Sequence, residues 1–129
     1  PNIAGGIGLG IGLDYINHVG LGNIQLQEKD LLQYGTKRLT EMGGTRIIGE
    51  ARNKASVISF LLDGIHPYDV GMIVDKLGVA VRTGHHCTQP VMDYFEIPGT
   101  IRASFAFYNT RDEIDRMIMA LERARQMLS

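Results

Sequence analysis

The stretch ASVISFLLDGIHPYDVGMIVDKLGVAVRT, residues 55–83, decides the fold. Residues 55–64 are rich in β-branched and large apolar side chains and close on Asp63-Gly64, which reads as a strand running into a turn. Pro67 then suits a first helical position, and Asp69 favours the positive end of a helix dipole. Val70, Ile73 and Leu77 form a buried stripe, and Gly78 suits the position just past a helix end. Residues 79–83, VAVRT, resume as a strand.

Outward from this unit the pattern continues. Upstream, TRIIGE (45–50) is a short strand, and the polar residues 51–55 read as a hairpin loop leading into the long strand. Before it, residues 22–42 predict a helix with Ile24, Leu31, Leu32, Leu39 and Met42 on one face, ended by Gly43-Gly44. Residues 3–19 predict a first helix weakened by its glycines, with Leu9, Leu13 and Ile16 at helical spacing and Gly20 as the stop. Downstream, residues 84–99 read as an irregular and mobile loop, punctuated by Gly84, Pro90, Pro98 and Gly99. TIRASFAFY (100–108) alternates as a strand with Ile101, Ala103, Phe105 and Phe107 on one face. Thr110 and Glu113 stand at capping-box spacing before an amphipathic helix carrying Ile114, Met117, Ile118, Leu121 and Leu128. The fold class expected is therefore α/β: an α+β sandwich in which helices cover one face of a small, mostly antiparallel sheet.

Bulk composition excludes several functions. The chain has 129 residues, enough for one domain with a core of its own. Thirteen basic residues against fourteen acidic ones leave a formal charge of −1, without a basic tract, so nucleic acid is not an expected partner. The longest uncharged run, PNIAGGIGLGIGL, is too short and too glycine-rich to span a membrane, and it lacks the basic start of a signal peptide. A single cysteine cannot form an internal disulfide, and the cytoplasm is the expected compartment. The opening PNIAGG lacks a methionine, which suggests a fragment. Glycines 5, 6, 8, 10 and 12 include no G-x-G-x-x-G triplet and follow no strand, so they predict close helix packing and not a dinucleotide cradle.

The chemistry concentrates in VRTGHHCTQP, residues 81–90. Zinc needs three or four converging ligands, whereas neighbours in extended chain alternate sides, and His18 and His66 lie in other elements. Cys87 reads either as a small buried hydrophobe or as a reactive thiol. Its place in a glycine- and proline-bounded loop favours presentation to substrate, and His85 and His86 could promote the thiolate if protonated or able to take its proton. Arg82 and Arg102 read as solvated charges or as carboxylate binders. The second reading requires Arg102 to face away from Ile101 and Ala103.

VAVRTGHHCTQPVM, RASFAFYNTRDEID and PNIAGGIGLG together resemble the C-terminal part of a SufS-type cysteine desulfurase, the group that includes selenocysteine lyase-like proteins, over essentially the whole chain. The resemblance implies the small C-terminal domain of the aminotransferase-like fold that binds pyridoxal phosphate. Residues 1–20 would be a helix leading in from a large domain, and residues 21–129 the small domain with its cysteine loop at 84–99. Cys87 would be the nucleophile that takes sulfur from a cofactor-held cysteine as a persulfide, destined for iron–sulfur cluster assembly. Arg102 would bind the substrate carboxylate and Arg82 would orient substrate, with His85 and His86 shaping the loop or tuning the thiol. Tyr68 stands where relatives that serve a zinc-bearing SufU-type acceptor carry histidine, which points to a SufE-type acceptor.

The same resemblance implies what the chain lacks. Lys29, Lys37, Lys54 and Lys76 are outside the family's lysine motif, so pyridoxal phosphate is expected in a full-length homodimer and not on this stretch alone, which is expected to be inactive. The implied substrate is L-cysteine, with L-selenocysteine the alternative. A stand-alone sulfur-carrier module is the reading from another class.

Overall fold

The computed structural model describes residues 1–129. Two helices open the chain, α1 (Ile3–Val19) and α2 (Leu21–Met42). Then come β1 (Thr45–Ile48), β2 (Val57–Leu62), α3 (Pro67–Lys76) and β3 (Arg82–Gly84). A short helix, α4 (Gln89–Phe95), precedes β4 (Thr100–Ser104) and the closing helix α5 (Arg111–Leu128). The strands form one sheet in the order β1-β2-β4-β3, and every neighbouring pair is antiparallel.

One face of this sheet makes the core. Ile58, Phe60 and Leu62 of β2 alternate inward, and Phe60 and Ile58 sit opposite Ile101 and Ala103 of β4. Against them pack Leu31 and Leu39 of α2, Val70 and Val74 of α3, and Ile114, Met117, Ile118 and Leu121 of α5. Removing each large side chain from water stabilises the fold by about 1.5–3 kcal/mol, so this layer holds the sheet to the helices. Gly35 lets α2 approach closely, because a methyl group there would press on Phe105 and Ile58 at 3.1–3.3 Å. The sandwich with helices on one sheet face, expected from the periodicities, is the fold observed.

Local signals act where the physics places them. The Thr110 side chain accepts from the Glu113 backbone N–H at 3.2 Å, and the Glu113 carboxylate accepts from the Thr110 N–H at 2.9 Å, completing the capping box of α5. In α3, Pro67 opens the helix behind a His66 cap. The α2–α5 seam is tied by polar bonds: Tyr34 and Arg38 both donate to Asp115, and Arg111 pairs with Asp30.

Four expectations need correction. Residues 84–99 are not wholly irregular, because Gln89–Phe95 is helical. Pro90 falls in the first turn of α4, where its missing N–H costs nothing. The strand expected over 100–108 ends at Ser104, since the Asn109 side chain accepts from the Ala106 N–H at 2.8 Å and folds the chain into a turn. The strand expected at 79–83 is only Arg82–Gly84. Finally, α1 buries no residue, and a methyl group on Gly6, Gly8, Gly10 or Gly12 would meet nothing within 4 Å, so these glycines serve no close packing within this chain. No helix is long and apolar enough to cross a membrane.

Candidate functional site

Alternation along β4 sends Ile101 and Ala103 into the core and Thr100 and Arg102 to the other face. Arg102 is paired with Arg82 of β3 and with Ser59 of β2. Directly opposed residues of an antiparallel pair project on the same side, so the two guanidinium groups share the face that α2, α3 and α5 leave uncovered. Arg102 thus faces away from Ile101 and Ala103, one requirement of its reading as an anion binder. Neither arginine is in a salt bridge: those present join Lys37 or Arg38 to Glu41, Arg38 to Asp115, and Arg111 to Asp30. The Nε of Arg102 is out of water's reach and has no hydrogen-bond partner. Two like charges placed opposite one another repel, and a buried donor without an acceptor is costly. An anion bound on this face would offset the repulsion between the two charges.

Past Gly84 the chain turns sharply. His86 and Cys87 both adopt left-handed conformations, with φ of 53° and 59°. Each such residue without glycine's freedom stores about 1–3 kcal/mol. Three contacts hold the turn. The Thr88 backbone N–H and hydroxyl both donate to the His85 carbonyl, at 2.9 and 2.7 Å. The His86 Nε2 reaches the Thr100 hydroxyl at 3.0 Å and the Thr100 carbonyl at 3.3 Å. At the base of the turn Gly99 lies so near Gly84 that a methyl group on Gly99 would stand 2.8 Å from the Gly84 carbonyl carbon. Cys87 is exposed on this turn, with a free thiol. The buried-hydrophobe reading of Cys87 is thereby set aside.

Burial holds the His86 imidazole below its usual pKa, and the nearby Arg102 charge pushes the same way, followed by Arg82 and His85. A bond to the Thr100 backbone opposes them without winning. This lowering disfavours the charged imidazole and so weighs against His86 as a cationic partner for a thiolate. His85 is exposed. The structure therefore brings Arg82, Arg102, His86 and Cys87 to one sheet end, with Thr100 as a member that residue types alone did not reveal. Its signal lies in strand pairing: Thr100 is opposite Gly84, two positions before His86.

No cluster of three or more His, Cys, Asp or Glu side chains converges as a metal cage. None of the four lysines is among the residues gathered at this sheet end. Lys29, Lys37 and Lys54 line a groove of about 1060 Å³ between α2 and the β1–β2 connection, at the sheet edge farthest from β3. Lys76 ends α3, in the helical layer. No strand carries a lysine.

The aminotransferase class-V family model matches residues 1–117. A probable cysteine desulfurase of Xylella fastidiosa (strain Temecula1 / ATCC 700964) is 45% identical over 128 residues, covering 99% of this chain and 31% of its own. The cysteine desulfurase of Escherichia coli O8 (strain IAI1) is 44% identical with the same coverage. Among solved structures, the apo cysteine desulfurase of Thermococcus onnurineus NA1 superposes with a TM-score of 0.90 at 42% identity, covering 99% of this chain and 32% of that one. The cysteine desulfurase CsdA of Escherichia coli, in an S-sulfonic acid form, superposes with a TM-score of 0.89 at 30% identity over 100% of this chain and 32% of its own. The chain thus spans about a third of the length of the relatives it matches.

Proposed function

This chain belongs to the aminotransferase class-V family, and we propose that it is the sulfur-accepting part of a SufS-type cysteine desulfurase. The observation that carries the reading is the pair of unneutralised guanidinium groups on the uncovered sheet face, beside an exposed thiol on a strained turn. In this reading residues 1–20 lead into a small domain formed by residues 21–129. The remaining two-thirds of the enzyme's length supply the cofactor lysine.

Arg102 holds the carboxylate of L-cysteine through its planar fork, and Arg82 adds charge across the strand pair. The Cys87 sulfur then attacks the substrate sulfur. A sulfur–sulfur bond forms as the substrate C–S bond breaks. That bond's electron pair goes to Cβ, which takes up a proton and becomes the methyl group of L-alanine. The reaction thus turns L-cysteine and a Cys87 thiol into L-alanine and a Cys87 persulfide without an external oxidant. Pyridoxal phosphate, when bound, supplies the electron sink that makes the C–S bond breakable. The persulfide is open to an acceptor because Cys87 is exposed. Tyr68, itself 60% exposed, favours a SufE-type acceptor. The setting is a cytoplasmic homodimer that feeds iron–sulfur cluster assembly.

The test uses the full-length protein carrying this sequence, with L-cysteine or L-selenocysteine as substrate and an acceptor present. Cys87→Ala should abolish alanine formation from L-cysteine. Undiminished turnover of L-cysteine by this variant removes Cys87 as nucleophile, and loss confined to L-cysteine marks a selenocysteine-competent site.

A further inference from the structure

We infer that His86 is a positioning residue for Cys87, a neutral tether through its Nε2–H and not a base; this rests on the reading of Cys87 as the sulfur acceptor.

The hydrogen bonding favours one tautomer. The Thr100 carbonyl can only accept, so the 3.3 Å contact is a hydrogen bond only with the proton on Nε2, the tautomer that uses both Thr100 oxygens. The Thr100 hydroxyl, at 3.0 Å from the same nitrogen, shares that proton as a second acceptor. Nδ1 then carries a bare lone pair, and it is out of water's reach with no partner. The face around the ring is cationic, bearing Arg102 of β4 and Arg82 of β3, with His85 beside it on the turn. A second proton on the ring is disfavoured there, so the imidazole stays neutral and its Nε2–H remains committed to Thr100.

That bond is the side-chain tie from the turn to the sheet. The Thr88 bonds close the turn on itself, to His85, and do not fix it to a strand. Thr100 is almost completely buried at 1% exposure, a rigid anchor. Cys87 follows His86 directly, and both sit in left-handed conformations that an untethered turn would relax. Losing the tether lets the sulfur leave the line of attack while Arg102 still holds the substrate carboxylate. Misplacing a reacting atom by about 1 Å can cost about a hundredfold in rate.

The experiment compares His86→Ala, His86→Asn and His86→Gln in the full-length enzyme, with Cys87→Ala beside them. Glutamine places an amide N–H where Nε2 stands. Asparagine accepts the left-handed backbone more readily but is too short to reach Thr100. His86→Ala and His86→Asn should lose about a hundredfold in kcat, with KM for L-cysteine within about twofold of wild type. His86→Gln should stay within about threefold of wild-type kcat with the same pH profile, which a lost base would not permit. Glutamine as impaired as alanine, or asparagine as active as wild type, overturns the tether. Wild-type activity in Cys87→Ala instead overturns the underlying nucleophile reading, so the two failures are distinguishable.

Discussion

Arg82 and Arg102 stand directly opposite each other on antiparallel strands, and no carboxylate is paired with either. Such an arrangement works against the fold and for an anionic ligand. Arg102→Gln should therefore raise KM for L-cysteine and lower kcat/KM by roughly tenfold to a hundredfold, the loss of one charge-assisted bond worth about 1.5–3 kcal/mol. Steady-state kinetics on the full-length enzyme check this, and an unchanged kcat/KM refutes it.

Arg82 gives the complementary prediction. Removing one member of a directly opposed like-charge pair relieves about 0.2–1 kcal/mol. Arg82→Thr should thus melt slightly higher than wild type by calorimetry while turning over L-cysteine less well. A lower melting temperature means that Arg82 has a stabilising partner this account omits.

The base of the cysteine turn depends on Gly99, at φ 154°, pressed against the Gly84 backbone. Backbone cannot yield as a flexible side chain can. Gly99→Ala should destabilise the protein by about 2 kcal/mol in urea titrations and speed alkylation of Cys87 as the turn loosens. A neutral effect on both would show that the approach of the two glycines is not required.

Asp115 supplies a pH dependence. Its bonds from Arg38 and then Tyr34 hold its carboxyl below the ordinary range. The folded-state pKa is depressed, so the stabilisation is present above the unfolded pKa and is lost as pH falls through the folded value. Bonds from Arg111 to Asp30, and from Asn109 and then Thr110 to Glu113, act in the same direction. Unfolding free energy measured against pH should decline on acidification through the carboxylate range, with a shallower decline in Asp115→Asn. Identical profiles for the two proteins contradict this assignment.

Much of this architecture is legible in residue order because local chemistry and tertiary packing agree. Thr110 and Glu113 mark the start of α5, Pro67 marks that of α3, and the run of β-branched and large apolar residues closing on Asp63-Gly64 marks β2. Where they diverge, the reading fails. Pro90 looks like a breaker but occupies a helix's first turn, and Asn109 bends away a segment whose alternation continues to Phe107. The site is half legible. Cys87 and the arginines announce themselves by type, and alternation allows Arg102 to face away from the core. The His86–Thr100 bond depends on β3 and β4 being neighbours, a relationship no local pattern encodes. The lowered pKa of His86 likewise follows from burial and from charges gathered by that pairing.

The most direct test of the central claim is mass spectrometry of the peptide containing Cys87, taken from the full-length enzyme after brief exposure to L-cysteine without acceptor. The account predicts that this peptide gains the mass of one sulfur atom, that a reductant removes the gain, and that Arg102→Gln slows its appearance. A Cys87 peptide that stays unmodified while alanine accumulates would contradict it.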